Sequence, residues 1–327
     1  MAIRLKDIAE TCGVDVSTVS RALSGDARVK DATRKRIVSV ACDMGYRPNP
    51  AARSLVGART RTIWMLVSSL DDPLQREFAE SASTLLVGQG YDLSVMLYQG
   101  DEARYRYLLS RLNGQLTDGA LVFPSYRRNE GEAEWDVLFK NAFPLVFIDR
   151  HPEGARQPTV TTDNAAATVE LVQCLQRRGA SRFVVLMQTG GNLVEESRCL
   201  AALDTLGRDG VPFVRTNAFD AGFLKSGSGV GIIGTGQSTV QAFVQEHQAT
   251  LAGTALSFGV FDRWDGDPYP ATSVCVCEQD FPAMANRACL QLLQMIEDEP
   301  MAVGVTQVRA RAFRWVESSV MRGAETP

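Results

Sequence analysis

The sequence predicts a small all-α head followed by a larger α/β body, and three observations carry that expectation. Positive charge is concentrated in the first 62 residues, helical periodicities of two or three turns occupy the same stretch, and from residue 63 onward brief apolar runs alternate with helical patterns. Length agrees with this division. The 327 residues, 45% hydrophobic and 22% charged with a net charge of −4, suffice for two or three units that each bury a core without disulfides or metals.

The head, residues 1–48, is basic. Residues 1–62 hold twelve Lys and Arg against six Asp and Glu, a net of +6, which leaves the remainder at −10. A basic head on a mildly acidic body suits phosphate binding, although a solvated charged surface has the same composition, so spacing must decide. Leu5, Ile8 and Ala9 fall at i, i+3 and i+4. Gly13 then interrupts, and Val16, Val19 and Leu23 resume at i, i+3 and i+7. Two short helices therefore meet at a tight turn, a helix-turn-helix. Asp15 is placed to cap the second helix, whose outer face offers Ser17, Thr18, Ser20 and Arg21, slim enough at its start to enter a major groove. A third helix, about Ala32 to Met44, buries Ile37, Ala41 and Met44 and stops at Gly45.

The body, residues 62–327, reads as strand and helix in alternation. Ile63–Val67, Leu93–Leu97, Ala120–Phe123, Leu145–Ile148, Phe183–Met187, Val230–Ile233 and Leu256–Val260 have strand lengths. Between them Tyr105, Leu108, Leu109 and Leu112, and again Thr168, Leu171, Val172 and Leu175, mark helices with one buried face. Such alternation predicts parallel sheets with crossover helices, and ligands beyond the carboxyl ends of the strands. No strong internal sequence repeat accompanies it.

Catalysis has little support. His151 and His247 are the only histidines, and no zinc spacing, GxSxG elbow or Walker loop occurs, so we expect neither enzyme activity nor a metal or cofactor. Gly190-Gly191 and Gly227–Gly231 read as turns rather than phosphate loops. Seven cysteines without a CxxC pair suggest buried free thiols, and Cys275 and Cys277, on one face of a strand, make a poor metal site alone. The first residues lack a secretory pattern and no apolar run is long, so the expectation is a cytoplasmic chain without a membrane span.

The head is more specific than its periodicity. Leu5-Lys-Asp-Ile-Ala-Glu, Gly13-Val14, Ser17-Thr-Val-Ser-Arg-Ala-Leu23, Thr33-Arg34 and Gly45-Tyr-Arg-Pro-Asn-Pro-Ala-Ala-Arg-Ser-Leu55 together resemble the head of the lactose, galactose and purine repressor family over nearly all of residues 3–56. The resemblance implies base reading by Val16, Ser17 and Arg21, and phosphate contacts from Thr18, Ser20 and Thr33. It also implies a hinge helix and linker over residues 49–61 that sets Ala52 and Leu55 in the minor groove, where an apolar wedge kinks DNA. Leu55 packed against its own head is the competing reading. Arg4 and Lys30 depart from the pattern, standing where the family usually caps helices with Thr or Ser.

Through the body the resemblance is weaker, and it implies a periplasmic-binding-protein-like core of two lobes with a small effector in the cleft between them, the lobe boundaries falling near Asp163 and within 262–281. Asp72-Pro73 stands for the family's Asn-Pro step, and Ile148-Asp-Arg150, Asp163-Asn164 and Gly259-Val-Phe-Asp262 follow strands as its pocket loops do. The candidate effector residues are Asp72, Gln75, Asp149, Asp163, Arg198, Thr235 and Asp262, with Asp149 read alternatively as a cap for the loop that follows and Gln75 as a solvated helix-start residue. Arg198 and Asp262 would bracket vicinal hydroxyls, unless Arg198 pairs instead with Glu195 or Glu196 on its own helix. Two departures fall near this pocket. Thr235-Gly236-Gln237-Ser238 stands where the family carries Asn-Asp, and the segment after Asp220 is too short for the usual crossover helix, with Phe219 or Phe223 as a replacement stacking aromatic. The whole reads as a dimeric repressor, tetramer open, binding a palindromic double-stranded operator and a carbohydrate-like effector. Control by a protein partner, or a sugar-binding module without gene regulation, are the alternatives.

Overall fold

The computed structural model describes residues 3–23, 26, 28–46, 59–112, 116–125, 132–152, 155, 157–186, 193–216, 221–224, 229–251, 254–268, 271, 273–300 and 304–318. Residues 49–58 of the expected hinge and linker, with Ala52 and Leu55, lie outside them, as does Phe219. The chain divides into two compact units, Met1–Thr60 and Arg61–Pro327.

Among the described residues the first unit holds three helices, α1 (Leu5–Cys12), α2 (Val16–Leu23) and α3 (Asp31–Asp43). Each turns its apolar stripe inward, so that Ile8, Ala9, Cys12, Val19, Ala22, Val29, Ile37 and Ala41 form one buried core with Met44 partly covered at its edge. Gly13 ends α1 at φ 63°, a left-handed conformation that costs glycine nothing and reverses the chain into α2. Arg4 and Lys30 do occupy the N-cap positions of α1 and α3, without a side-chain cap bond from either. At α1 the Asp7 carboxylate accepts from the Arg4 backbone N–H at 2.7 Å, which satisfies one donor that a Thr or Ser cap would leave to other groups.

The second unit has two lobes. The first lobe is built from β1 (Thr62–Val67), α4 (Pro73–Gly88), β2 (Asp92–Leu97), α5 (Glu102–Leu112), β3 (Gly119–Val122), α6 (Glu132–Lys140), β4 (Leu145–Ile148) and β5 (Thr159–Thr162). The second follows with α7 (Asn164–Arg177), β6 (Ala180–Val185), α8 (Leu193–Arg208), β7 (Phe213–Arg215), α9 (Ala221–Leu224), β8 (Gly229–Ile233), α10 (Gln237–Glu246), α11 (Gln248–Leu251), β9 (Leu256–Phe261) and β10 (Ser273–Glu278). The chain then returns to the first lobe for α12 (Phe281–Ile296) and β11 (Val305–Val308), and crosses again to lay β12 (Ala312–Glu317) on the second. It therefore crosses between lobes after β5, after β10 and after β11.

The strand orders are β11-β5-β4-β3-β1-β2 and β12-β10-β9-β8-β6-β7, the same winding twice. The lobes thus repeat in topology where the sequence shows no strong repeat. Among the described residues every strand pairing is parallel except β10 with β12, an antiparallel edge on otherwise parallel sheets of the kind expected. Central strands such as β1 and β9 are buried almost throughout, because helices cover both faces, and they read accordingly as continuous apolar runs. In the second lobe α7 lies so close to β9 that a Cβ on Gly259 would stand 3.1 Å from both Leu171 and Leu175, which accounts for glycine in an otherwise large apolar strand. The stripe Phe281, Met284, Ala285, Ala288 and Leu292 of α12 is buried with Phe78, Ala82 and Leu86 of α4 in the first lobe's core, as its spacing predicts. The connection from β7 to β8 contains α9, a single helical turn, in line with the short segment.

Candidate functional site: a polar helix face and an interlobe cleft

α2 has two unlike faces. Val19 and Ala22 are 0% and 2% exposed and anchor it to the head core, while Val16 at 43%, together with Ser17, Ser20 and Arg21, stands in solvent and Thr18 is half covered. The Asp15 carbonyl accepts from the Thr18 and Val19 N–H groups at 2.9 and 3.1 Å, which places Asp15 at the helix start. Thr33 is half-buried in the first turn of α3. The side chains expected to read bases therefore share one open face of a short helix.

Several head cations have structural employment. Arg34 Nη2 donates to the carbonyls of Asp26 and Val29 at 2.9 and 3.0 Å, and Arg36 Nη2 donates to the Cys12 carbonyl at 2.7 Å. Arg28 clamps the Asp26 carboxylate at 2.6 Å and holds its pKa down at about 2. Arg34 was legible only as part of the resemblance; its part in pinning the turn into α3 has no periodic signal.

In the second unit a cavity of about 200 Å³ opens between the lobes. Asp72, Gln75, Asp149, Arg198, Thr235 and Asp262 all line it, so six of the seven expected effector residues come together. A neighbouring cavity of about 570 Å³ shares Asp72, Gly236, Ser238 and Asp262 with it. Asp163 is the exception: its carboxylate caps α7, accepting from the Ala166 N–H at 3.1 Å, and it is not among the lining residues. Phe223 also lies elsewhere, packed at the edge of a second-lobe core cluster with the Arg182 guanidinium 5.8 Å above its ring.

Strand ends position the charged groups. Asp149 follows β4 and Asp262 follows β9, at φ 68° and 77°, and strained backbone of this kind concentrates at functional sites. Arg150 Nη2 lies 3.0 Å from the Asp149 carboxylate. Arg198, on α8 and only 6% exposed, donates through Nε to Asn164 Oδ1 at 2.7 Å and through Nη1 to the Thr235 carbonyl at 3.3 Å, with its guanidinium 3.8 Å above the Phe261 ring. Its bonds thus run into the lobe rather than to Glu195 or Glu196. Gln279 donates to Asp262 Oδ1. Burial pushes the Asp262 carboxyl above the usual carboxylate range, opposed by Arg198 and Gln279 and reinforced by Asp149 and Asp72. Gln75 is 3% exposed and committed to the turn after β1, with Oε1 accepting from the Ser68 N–H at 3.0 Å and Nε2 donating to Asp72 at 3.0 Å.

The cleft offers carboxylates and guanidinium groups in partly dry surroundings, together with the hydroxyls of Ser238 and Thr239. That mixture suits a ligand with several hydroxyl groups, each able to donate and accept. Gln279, Glu195, Thr239 and Phe123 were not anticipated as lining residues. Gln279 precedes the Asp280 cap of α12 and carries no pattern of its own. The cysteines play no part: burial pushes the Cys199 thiol to about 11 and those of Cys277 and Cys289 to about 12, so they pack as protonated thiols. Among the described residues no helix is long and apolar enough to cross a membrane, and no group of His, Cys, Asp and Glu is arranged to hold a metal ion.

Comparison with known proteins places these features. The family described as "Bacterial regulatory proteins, lacI family" matches residues 4–49. The HTH-type transcriptional regulator PtxS of Pseudomonas plecoglossicida is 32% identical over 178 residues, 54% of this chain and 51% of that one. The chain spans about half the length of the curated relatives it matches, and these are regulators and a control protein rather than enzymes. Among solved structures, a Lac repressor dimer bound to operator and the anti-inducer ONPF superposes with TM-score 0.72 at 16% identity, covering 97% of this chain and 98% of that one. A complex of the transcriptional regulator CelR with cellobiose gives TM-score 0.61 at 18% identity, covering 97% and 99%. The shared fold is a helix-turn-helix head with a two-lobe, periplasmic-binding-protein-like core.

Proposed function

We propose a function for a chain that belongs, through its head, to the lacI family of bacterial regulatory proteins: sequence-specific DNA binding that regulates transcription, with a small sugar-like effector in the interlobe cleft setting operator affinity. One observation carries the reading. A single chain joins a basic head with an open Ser17, Ser20 and Arg21 face to a cleft in which Arg198 and Asp262 face a cavity. Val16, Ser17 and Arg21 read bases in the major groove, and Thr18, Ser20 and Thr33 contact phosphates. Ala52 and Leu55 enter the minor groove as a hinge. The working form is a homodimer acting as a repressor, because one head makes too few base contacts for specificity while two heads on a palindrome multiply it.

The retained lining of the cleft favours a small ligand over control by a protein partner alone. The basic head counts against a sugar-binding module without a regulatory role.

DNA binding is tested by fluorescence anisotropy of the full chain on duplexes selected from a random pool. Arg21→Ala should weaken the selected sequence about ten- to a hundredfold, the loss of one bidentate base contact, while nonspecific duplex binding changes far less. Affinity should also fall steeply with salt. Equal losses on both duplexes would refute base reading by Arg21.

A further inference from the structure

Arg198 and Asp262, two of the charged cleft residues of the second lobe, are held from the crossings between lobes, and both connections end on the same strand terminus. Asn164, the first residue of α7, accepts from Arg198 Nε at 2.7 Å and donates through Nδ2 to Thr161 Oγ1 at 3.3 Å and to the Thr162 carbonyl at 2.9 Å. Gln279, in the crossing after β10, donates to Asp262 and accepts from Thr162 Oγ1 at 2.5 Å. Thr161 and Thr162 close β5, the strand from which the chain leaves the first lobe. Thr162, Asn164 and Gln279 are 1%, 6% and 4% exposed, so no solvent substitutes for a broken bond.

Buried networks of this kind resist partial rearrangement, since a shifted member leaves a desolvated donor or acceptor unpaired. A ligand that moves Arg198 or Asp262 therefore either breaks their buried bonds to Asn164 and Gln279 or carries those residues along and pulls on their bonds to β5. Both residues sit at element ends where the chain changes lobes, the places at which hinge rotation is absorbed.

We propose that Thr162 at the end of β5, acting through Gln279 and beside Asn164, is the positioning residue that transmits occupancy of the cleft to the relation between the lobes. The proposal rests on the reading of the cleft as an effector site. Thr162 does not line the cavity, which separates transmission from ligand contact.

The test measures ligand affinity and coupling separately in the full-length protein. D-ribose, D-fructose, sucrose, cellobiose and fructose 1-phosphate are screened by thermal shift, and the stabilising sugar is then titrated calorimetrically and added to operator-binding assays. Wild type should change operator affinity about fivefold or more on saturation. Thr162→Val, which removes the hydroxyl, should keep the sugar Kd within about threefold of wild type and bring the change in operator affinity down to about twofold or less. Thr162→Ser should restore it. Thr162→Ala supplies the same comparison if the valine variant fails to fold. Unchanged coupling in the hydroxyl-lacking variants overturns the relay while leaving the effector reading intact, as does loss of coupling only in proportion to lost sugar affinity. A wild type that responds to none of the sugars overturns the sugar reading and the relay with it.

Discussion

Ile148-Asp149-Arg150 in the first lobe and Phe261-Asp262-Arg263 in the second occupy the same place in the duplicated winding, at the ends of β4 and β9. The backbones agree closely. Both aspartates take positive φ, and each donates its N–H across to the next strand, Asp149 to the Val160 carbonyl at 2.8 Å and Asp262 to the Cys277 carbonyl at 2.9 Å. The arginines diverge. Arg150, with an 8% exposed side chain, turns inward to its own Asp149, whereas Arg263, 53% exposed, pairs with Asp265 at 3.3 Å. Asp262 is consequently matched from other elements, by Arg198 on α8 and Gln279 on the second crossing. Identical local geometry thus produces one carboxylate balanced by its sequence neighbour and one balanced by tertiary structure, and the second is the one coupled to the lobe crossings.

The comparison breaks most visibly at the arginines. Arg198→Ala removes two hydrogen bonds, strands Asn164 Oδ1 in the interior and leaves Asp262 without the cation that opposes its burial, so urea unfolding should show a loss of about 3 kcal/mol. Arg263→Ala removes one exposed pair and should stay within about 0.5 kcal/mol of wild type. Comparable losses from the two substitutions would refute the asymmetry.

Charge state sharpens the same contrast. Because the folded pKa of Asp262 is raised, folding binds its proton more tightly than the unfolded chain does. The resulting stabilisation is complete below the unfolded value of about 3.9 and is lost as pH rises through the higher folded value. Asp262→Asn should therefore flatten that part of the stability profile, measured as urea midpoints from pH 4 upward. A profile identical to wild type would show that another group titrates there.

What the sequence disclosed follows from the range of the interactions involved. Strands with both faces covered, such as β1 and β9, announce themselves as apolar runs, and α12 announces its partner face through the spacing of Phe281, Met284, Ala285, Ala288 and Leu292. β5 does not: its Thr-Val-Thr-Thr is buried because three threonine hydroxyls find partners, a tertiary fact. The antiparallel β12 is likewise silent, half-exposed at a sheet edge. In the cleft, Asp149, Arg198 and Asp262, which the resemblance named together, line one cavity, yet it also named Asp163, which does not. A strand-end aspartate before a helix has two uses, and only the hydrogen bond to Ala166 separates capping from ligand contact. Gln279 was invisible, since its hydrogen bond reaches Thr162, 117 residues earlier in the chain.

At the two helix caps, by contrast, the two crossings should behave alike. Asp163 accepts from the Ala166 N–H at 3.1 Å after β5, and Asp280 accepts from the Ala283 N–H at 2.9 Å after β10, each satisfying a first-turn donor that is otherwise left open. Asp163→Ala and Asp280→Ala should each cost about 1 kcal/mol, read from urea midpoints, because the cap geometry is the same and neither carboxylate lines the cavity. Sugar affinity of Asp163→Ala should match wild type in the same calorimetric titration. A tenfold or greater loss of affinity with unchanged stability would return Asp163 to the ligand site and make capping the secondary role, and with it the likeness of the two crossings would fail at the one position where their hydrogen bonds coincide.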